Sequence, residues 1–444
     1  MAERQSYRHY SIHKRACGIT PAEKLEKKVI YNDILQLLVA IEEVGNLIDD
    51  DVDNAEDADD LAAFENALLD HCEVLLARLN VLTIYVDIQM PPIEPRNLTL
   101  AAINPTSCFI DYRFTHSELT RLIGVAGVNG NYNFNGLLGL PRFLTCSNRS
   151  RVSGDTAFLY LVRKHVIYSR LTTDAANTVG RDYTQCSRIF LAASKWLYDT
   201  WSWRVLDQRQ FTEFWAPMLP YWNSLIRQKY LSTYQDPIPA RYERVAMFYD
   251  CNFFGTCEPV DPVMENAIHS HYEKMHGVKV GCLTGAGGCC LHLSTMYGGR
   301  HNDVFIQDNS AINNIIRHSQ IGQDIQYIAY EDKAFNDKSH MRAKFNNRFY
   351  PIEYWQEIIN ENMDTLLCTV EWKFGRNHSY FGLNNDWRRM KLGESPIEIR
   401  ITNQYLLDNL LICCRGANNL QYFDFQNFAG VPTLENYLQF RYVD

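Results

Sequence analysis

Apolar positions recur at helical spacing in residues 29–46 (VIYNDILQLLVAIEEVGN) and again in LAAFENALLDHCEVLLARLNVL, which begins at Leu61. Side chains three and four residues apart share one helix face, so each stretch predicts an amphipathic helix and the pair predicts a small helical element. Pro91, Pro92, Pro95 and Pro105 then mark an extended linker. Beyond it, HSELTRLIGVAG predicts a helix with Thr115 as its cap, residues 129–140 read as a Gly- and Asn-rich loop, and Ser153 opens a helix in GDTAFLYLVRKHVIYSRL. Residues 172–179 (TTDAANTV), the turn GRDY and residues 184–196 (TQCSRIFLAASKW) follow as short helix, glycine-containing turn and longer helix, the order of a helix-turn-helix.

The period changes after the prolines at 217, 220, 237 and 239. Val245 to Tyr249 is an apolar run of strand length that ends on Asp250, with a polar, Gly-containing turn expected after it. Residues 277–284 and 289–296, joined by GAGG, predict a hairpin; GAGG lacks the Lys-Ser/Thr of a phosphate loop and the helix that would follow it. Residues 303–317 read as helix, 325–330 as a strand closed by Glu331 and Asp332, 352–377 as one or two helices containing Glu371, and 406–414 as a final apolar helix. The expectation is an α/β chain in three parts: 1–110, a helical and acidic region with a linker; 111–235, a helical, helix-turn-helix-like region; and 236–444, a mixed-sheet domain.

Composition adjusts this picture in three places. The 444 residues suffice for two or three domains with a sizeable core. The net charge of −9 argues against nucleic acid until its placement is read: ten acids between Glu42 and Asp60 lie in a span without Lys or Arg, and the rest of the chain carries about +1. Such a tract is a solvated linker or a partner-binding segment. The thirteen cysteines are scattered without a CxxC pair, which suits free thiols in a reducing compartment. No apolar run approaches membrane-spanning length and the N-terminus lacks a signal-peptide core, so an intracellular protein, nuclear or cytoplasmic, is expected.

The candidate chemistry is acidic. Asp250 ends one strand, Asp332 follows a later one, and Glu371 lies on a C-terminal helix. If the strands are neighbours, both aspartates emerge at one sheet edge, and a helix across that edge delivers the glutamate. Three carboxylates held together repel unless a cation neutralises them, and hard divalent cations take oxygen ligands. The bland alternative for Asp250 is a turn cap. On the helix-turn-helix reading, Arg181, Gln185, Arg188 and Lys195 lie where such motifs contact DNA; the alternative is a helical bundle packed on the next domain. A zinc reading would draw on Cys251, Cys257, Cys282, Cys289, Cys290 and His292, but their spacing fits no zinc template and strand cysteines are ordinary core.

FYDCNFFGTCEP (248–259), YEKMHGVK (272–279), GGRHND (298–303), YEDKAF (330–335), TVEWKFG (369–375) and LLDNLLICCRG (406–416) together, in this order and spacing, resemble the PIF/Harbinger-type DDE transposases and the nuclease-like proteins derived from them. The helices around GDTAFLYLVRK and VGRDYTQCSRIF resemble the region that precedes that nuclease domain, so the resemblance covers roughly residues 115–416. It implies a ribonuclease-H-like fold in which Asp250, Asp332 and Glu371 are the catalytic and metal-binding triad, with Asp303 accessory. It further implies two Mg²⁺ or Mn²⁺ ions, DNA as substrate, a separate Myb-like DNA-binding partner, a possible homodimer, and cleavage and joining of phosphodiester bonds. Three positions depart from the family pattern: Glu258 stands where Arg is common, Glu331 replaces a glycine before the second aspartate, and Asn302 replaces a histidine. These departures also suit a catalytically inactive, domesticated DNA-binding or scaffold protein.

Overall fold

A computed structural model describes residues 98–124, 136–167, 180–347, 351–385, 397–415 and 431–439, with helical residues between 29 and 40 and between 67 and 75. The chain divides into two compact units, Met1–Pro92 and Ile93–Asp444. In the first, Ile30 and Ile34 are buried with Leu37, Leu68 and Leu75 against them, so the two amphipathic stretches pack through the stripes their spacing defines. The acidic span, the prolines at 91–95 and the expected helix at 172–179 lie outside the described residues.

In the second unit the chain does not break near residue 235. One hydrophobic cluster runs from Leu98 to Leu438. The helical half contains α1 (His116–Ile123), set by a capping box: the Thr115 hydroxyl accepts from the Glu118 N–H, and the Glu118 carboxylate accepts from the Thr115 N–H at 2.7 Å. A short hairpin, β1 (Phe143–Thr145) and β2 (Arg151–Ser153), leads into α2 (Gly154–Val166), which is buried along nearly its whole length. Next is α3 (Tyr183–Trp201), capped by Asp182, and then α4 (Leu219–Tyr234). Asn223 on α4 donates to the carbonyls of Glu243 and Val245, both at 2.8 Å, and thereby ties the helical half to the start of the sheet.

The sheet is mixed. Its centre is β3 (Val245–Gly255), and β4 (His269–Ser270) precedes β5 (Met275–Gly285), which pairs antiparallel with β3 from Met247↔Gly285 to Gly255↔Gly277. On the outer side of β5 lie β6 (Cys290–Leu293) and β7 (Tyr297–Gly298). On the other side of β3, β8 (Ile328–Glu331) is parallel to it and β9 (Met341–Ala343) is parallel to β8. The turn expected after Asp250 is therefore replaced by five more strand residues, and Asp250 lies in mid-strand. Cross-strand pairing along Cys251–Gly255 overrides the turn propensity of Asn and Gly there. The GAGG hairpin forms as expected, with Gly288 at φ 78, a region that favours glycine.

Between α5 (Pro262–Ile268) and the parallel strands, the helix expected at 303–317 is two, α6 (Asp303–Asn309) and α7 (Ile312–His318), parted where Ser310 turns extended. The long helix α8 (Tyr354–Tyr380) crosses β3, and α9 (Ile397–Arg415) and α10 (Leu434–Gln439) complete the unit. The last two expected apolar turns carry buried polar groups. Asp408 accepts from Arg376 Nε at 2.7 Å, from Arg376 Nη2 at 2.9 Å and from Lys373 Nζ, while Asn409 pairs with both backbone groups of Cys290 at 2.8 Å. Among the described residues no helix is long and apolar enough to cross a membrane.

Candidate active site

The parallel pairing of β3 with β8 runs Val245↔Ile328, Met247↔Ala329, Phe248↔Tyr330, with a register shift at Ala246. Paired without that shift, counting from Val245 would bring Tyr249 level with Asp332. With it, Asp250 and Asp332 are each two residues beyond the Phe248↔Tyr330 pair, hence level and on one face. A one-residue slip exchanges the two faces of a strand, so the bulge at Ala246 is what sets the aspartates side by side.

The third carboxylate arrives on α8. Asp364, Cys368 and Glu371 are spaced by four and three residues and form one stripe of that helix. Lys344, just after β9, joins the stripe to the strands: its ammonium is 2.7 Å from Asp332 and 2.5 Å from Asp364. Burial opposes charge on Lys344, but these two carboxylates outweigh it and hold its pKa above the ordinary lysine value. Burial likewise raises Asp332, yet the hydrogen bond from Lys344 and the neighbouring Lys333 leave it below the usual carboxylate range.

Asp250 behaves in the opposite way. Burial pushes its carboxyl up to about 7; the hydrogen bond from the Cys251 N–H, at 2.8 Å, works against this, and the charges of Asp303, Asp332 and Glu371 add to it. Among the described residues no cation pairs with Asp250. The other three acidic residues singled out in the sequence thus all act electrostatically on Asp250. Asp303 reaches the group from the first turn of α6 and is held by Lys279 at 2.9 Å. Lys279 is opposite Phe253, on the face alternate to Asp250, so Asp303 flanks the triad from the other side of the sheet. The carboxylate oxygens of the triad are not all within 4.8 Å of one another.

Glu331 is not an extra site carboxylate. Alternation along β8 turns it away from Asp332 into the core, where it is fully buried and accepts from Gln307 Nε2 at 2.7 Å. Burial raises its pKa well above the ordinary range. A raised folded pKa contributes stability that is complete below about pH 4, the unfolded value, and is lost as pH rises through the folded one. Glu331→Gln is therefore expected to raise the urea midpoint at pH 8 and to leave it nearly unchanged at pH 4. Equal midpoints at pH 8 would count against a raised Glu331 pKa.

The expected DNA-contacting residues are dispersed. Gln185 is buried, with its amide bonded to Asn148 at 3.1 Å and to Ser150 at 2.7 Å in the β1–β2 turn. It closes the hairpin on α3 and has no amide group left for a base edge. Arg181 and Arg188 are half-buried; Lys195 is exposed and paired with Asp199 at 2.6 Å. The inner face of α3 packs on α2 and α9, as in a bundle. Asn302 caps α6 by accepting from the Phe305 N–H at 2.8 Å. The zinc reading finds no ligand set among the described residues: Cys282, Cys289 and Cys290 are buried free thiols. Glu258 is remote from Asp250, across the end of β3, with Glu265 and His276. Sequence reasoning missed Lys344, Asp364 and Lys279; only Asp364 left a signal, its spacing of two helical turns from Glu371.

Comparison of the chain with protein-family models, curated proteins and solved structures finds no match in any of the three.

Proposed function

We propose that the second unit is a divalent-metal-dependent DNA endonuclease or transposase, acting on phosphodiester bonds from a ribonuclease-H-like sheet. The observation that supports this reading is that the charges of Asp332 and Glu371 act on Asp250, whose carboxyl is held up to about 7 with no cation paired to it among the described residues. Three antiparallel strands followed by two parallel ones, in the spatial order β6-β5-β3-β8-β9, support the fold assignment.

The donor set fits Mg²⁺ or Mn²⁺: acceptor-only oxygens whose mutual repulsion has no protein cation at Asp250. Asp250 and Asp332 would hold both ions and Glu371 would complete the second site. When bound, such ions make water or a 3′-hydroxyl a better nucleophile and stabilise the leaving oxygen. The chain's own part is definable. Asp250 is about half protonated at pH 7, so binding releases its proton and strengthens as pH rises. Asp332 must leave Lys344, whose ammonium stays beside the site through Asp364. DNA is the substrate on this reading, with a Myb-like partner or a second copy supplying target recognition.

One observation favours a second reading, a retired enzyme kept as a DNA-binding or scaffold protein. Lys344 and Lys279 already neutralise Asp332 and Asp303. Nicking of supercoiled plasmid with Mn²⁺ and Mg²⁺ separates the two. Wild type is expected to nick, and Asp250→Asn, Asp332→Asn and Glu371→Gln each to lose at least about a hundredfold, equivalent to ~2.7 kcal/mol of barrier. A folded wild type that neither nicks nor binds Mn²⁺ at these residues selects the scaffold.

A further inference from the structure

A second group of ligating side chains lies at the far end of the β3–β5 ribbon. Glu258 follows β3, Glu265 is in the first turn of α5, and His276 is on β5; their ligand atoms are all within 4.8 Å of one another. His276 is fixed by its backbone, which pairs with His269 and accepts from the Thr256 N–H at 2.8 Å. Its Nε2 is buried and has no hydrogen-bond partner, and it stands 4.0 Å from Glu265 Oε1, too far for a hydrogen bond. A buried ring nitrogen that faces two carboxylates without bonding either one is an unmet ligand atom.

We propose that Glu258, Glu265 and His276 bind a first-row divalent transition ion of the Zn²⁺ class. One imidazole with two carboxylates is a mixed nitrogen–oxygen set that suits Zn²⁺; Mg²⁺ prefers an octahedron of oxygens. Tetrahedral Zn²⁺ with bonds of ~2.0–2.2 Å sets ligand atoms roughly 3.4 Å apart, so the side chains close by about an ångström. Glu258 is exposed and free to make that movement. Three protein ligands leave one position for water; the His269 ring, with its centroid 5.0 Å from that of His276, borders it. The ion ties together the loop after β3, helix α5 and β5. Cys282, the residue opposite Asp250, is six steps along β5 from His276, so the ion lies about 20 Å from the carboxylate triad and is distinct from it.

The test is Zn²⁺ titration of the chelator-stripped full chain by calorimetry, with wild type beside Glu258→Gln, Glu265→Gln, His276→Gln and Asp250→Asn. One equivalent is expected in wild type and in Asp250→Asn. Affinity should fall by more than about tenfold, the loss already typical of outer-sphere substitutions, in each of the other three. Glu258→Gln alters only an exposed side chain, so its result does not depend on folding. Co²⁺ should give visible bands without the near-ultraviolet band of a thiolate ligand. Unchanged affinity in Glu258→Gln and His276→Gln, no binding by folded wild type, or a thiolate band would each overturn the site. Plasmid nicking reads the triad instead, so either assignment can fail alone.

Discussion

Asp250→Asn is expected to make the metal-free protein more stable at pH 8 while ending the metal-dependent nicking proposed for it. The folded carboxyl is held up to about 7, against about 3.9 in an unfolded chain. The sign follows from proton counts. Between these values the folded state keeps a proton that the unfolded state has lost, so wild-type stability falls as pH rises from about 4 to about 7. Three units correspond to at most about 4 kcal/mol, and relaxation of the half-buried site reduces that. Asparagine keeps the oxygen that accepts from the Cys251 N–H and has no charge to repel Asp303, Asp332 and Glu371. Urea unfolding at pH 5 and pH 8 checks this. Wild type should lose more stability between the two than the variant, which keeps only the loss that Glu331 brings, and Mn²⁺ should restore the wild type alone. Parallel behaviour of the two proteins would sink the idea that Asp250 is an unneutralised acid.

Asp408→Ala should be the most damaging single change among the residues considered, costing about 3–5 kcal/mol. It leaves Lys373 and Arg376, both buried, without their shared anion. Burial pushes the Asp408 carboxyl up, but Arg376 and Lys373 outweigh it and hold it below the usual range. Its contribution is therefore present above about pH 4 and is lost as pH falls through the depressed folded value. The damage should reach the site. Arg376 also donates to the Gly288 carbonyl at 3.1 Å, so the network pins α8 to the hairpin turn, and Glu371 is two residues before Lys373 on that helix. A urea midpoint equivalent to a loss under about 1 kcal/mol would show that the network is dispensable.

How far the sequence could be read depended on whether a feature was local. The Thr115 cap, the GAGG hairpin and the stripes around Ile30 and Leu68 depend on residues close in the chain, and each was legible. Asp250 stood out because a carboxylate at the end of an apolar run is costly unless it is paired, whereas Asp332 and Glu371 were tied to it by the resemblance. The extent of β3 was not, since Cys251–Gly255 looks like a turn until β5 is beside it. Gln185 looks like a recognition-helix residue until the hairpin at 148–150 takes its amide. Asp408 and Asn409 were hidden in an apolar helix because their partners are about 30 and 120 positions away in the chain. Glu258 was linked to Asp250 only by nearness in sequence, and the length of an extended strand separates them.

The bulge at Ala246 also makes the site unequally sensitive to insertions and deletions. Ala246 is the residue by which β3 exceeds β8, so losing it would smooth the pairing and leave Phe248 opposite Tyr330 and Asp250 level with Asp332. Losing Tyr249 instead would move Asp250 to the level of Glu331, facing α6, and put a cysteine beside Asp332. Within four residues of one strand, chain length is spare at one position and indispensable at another.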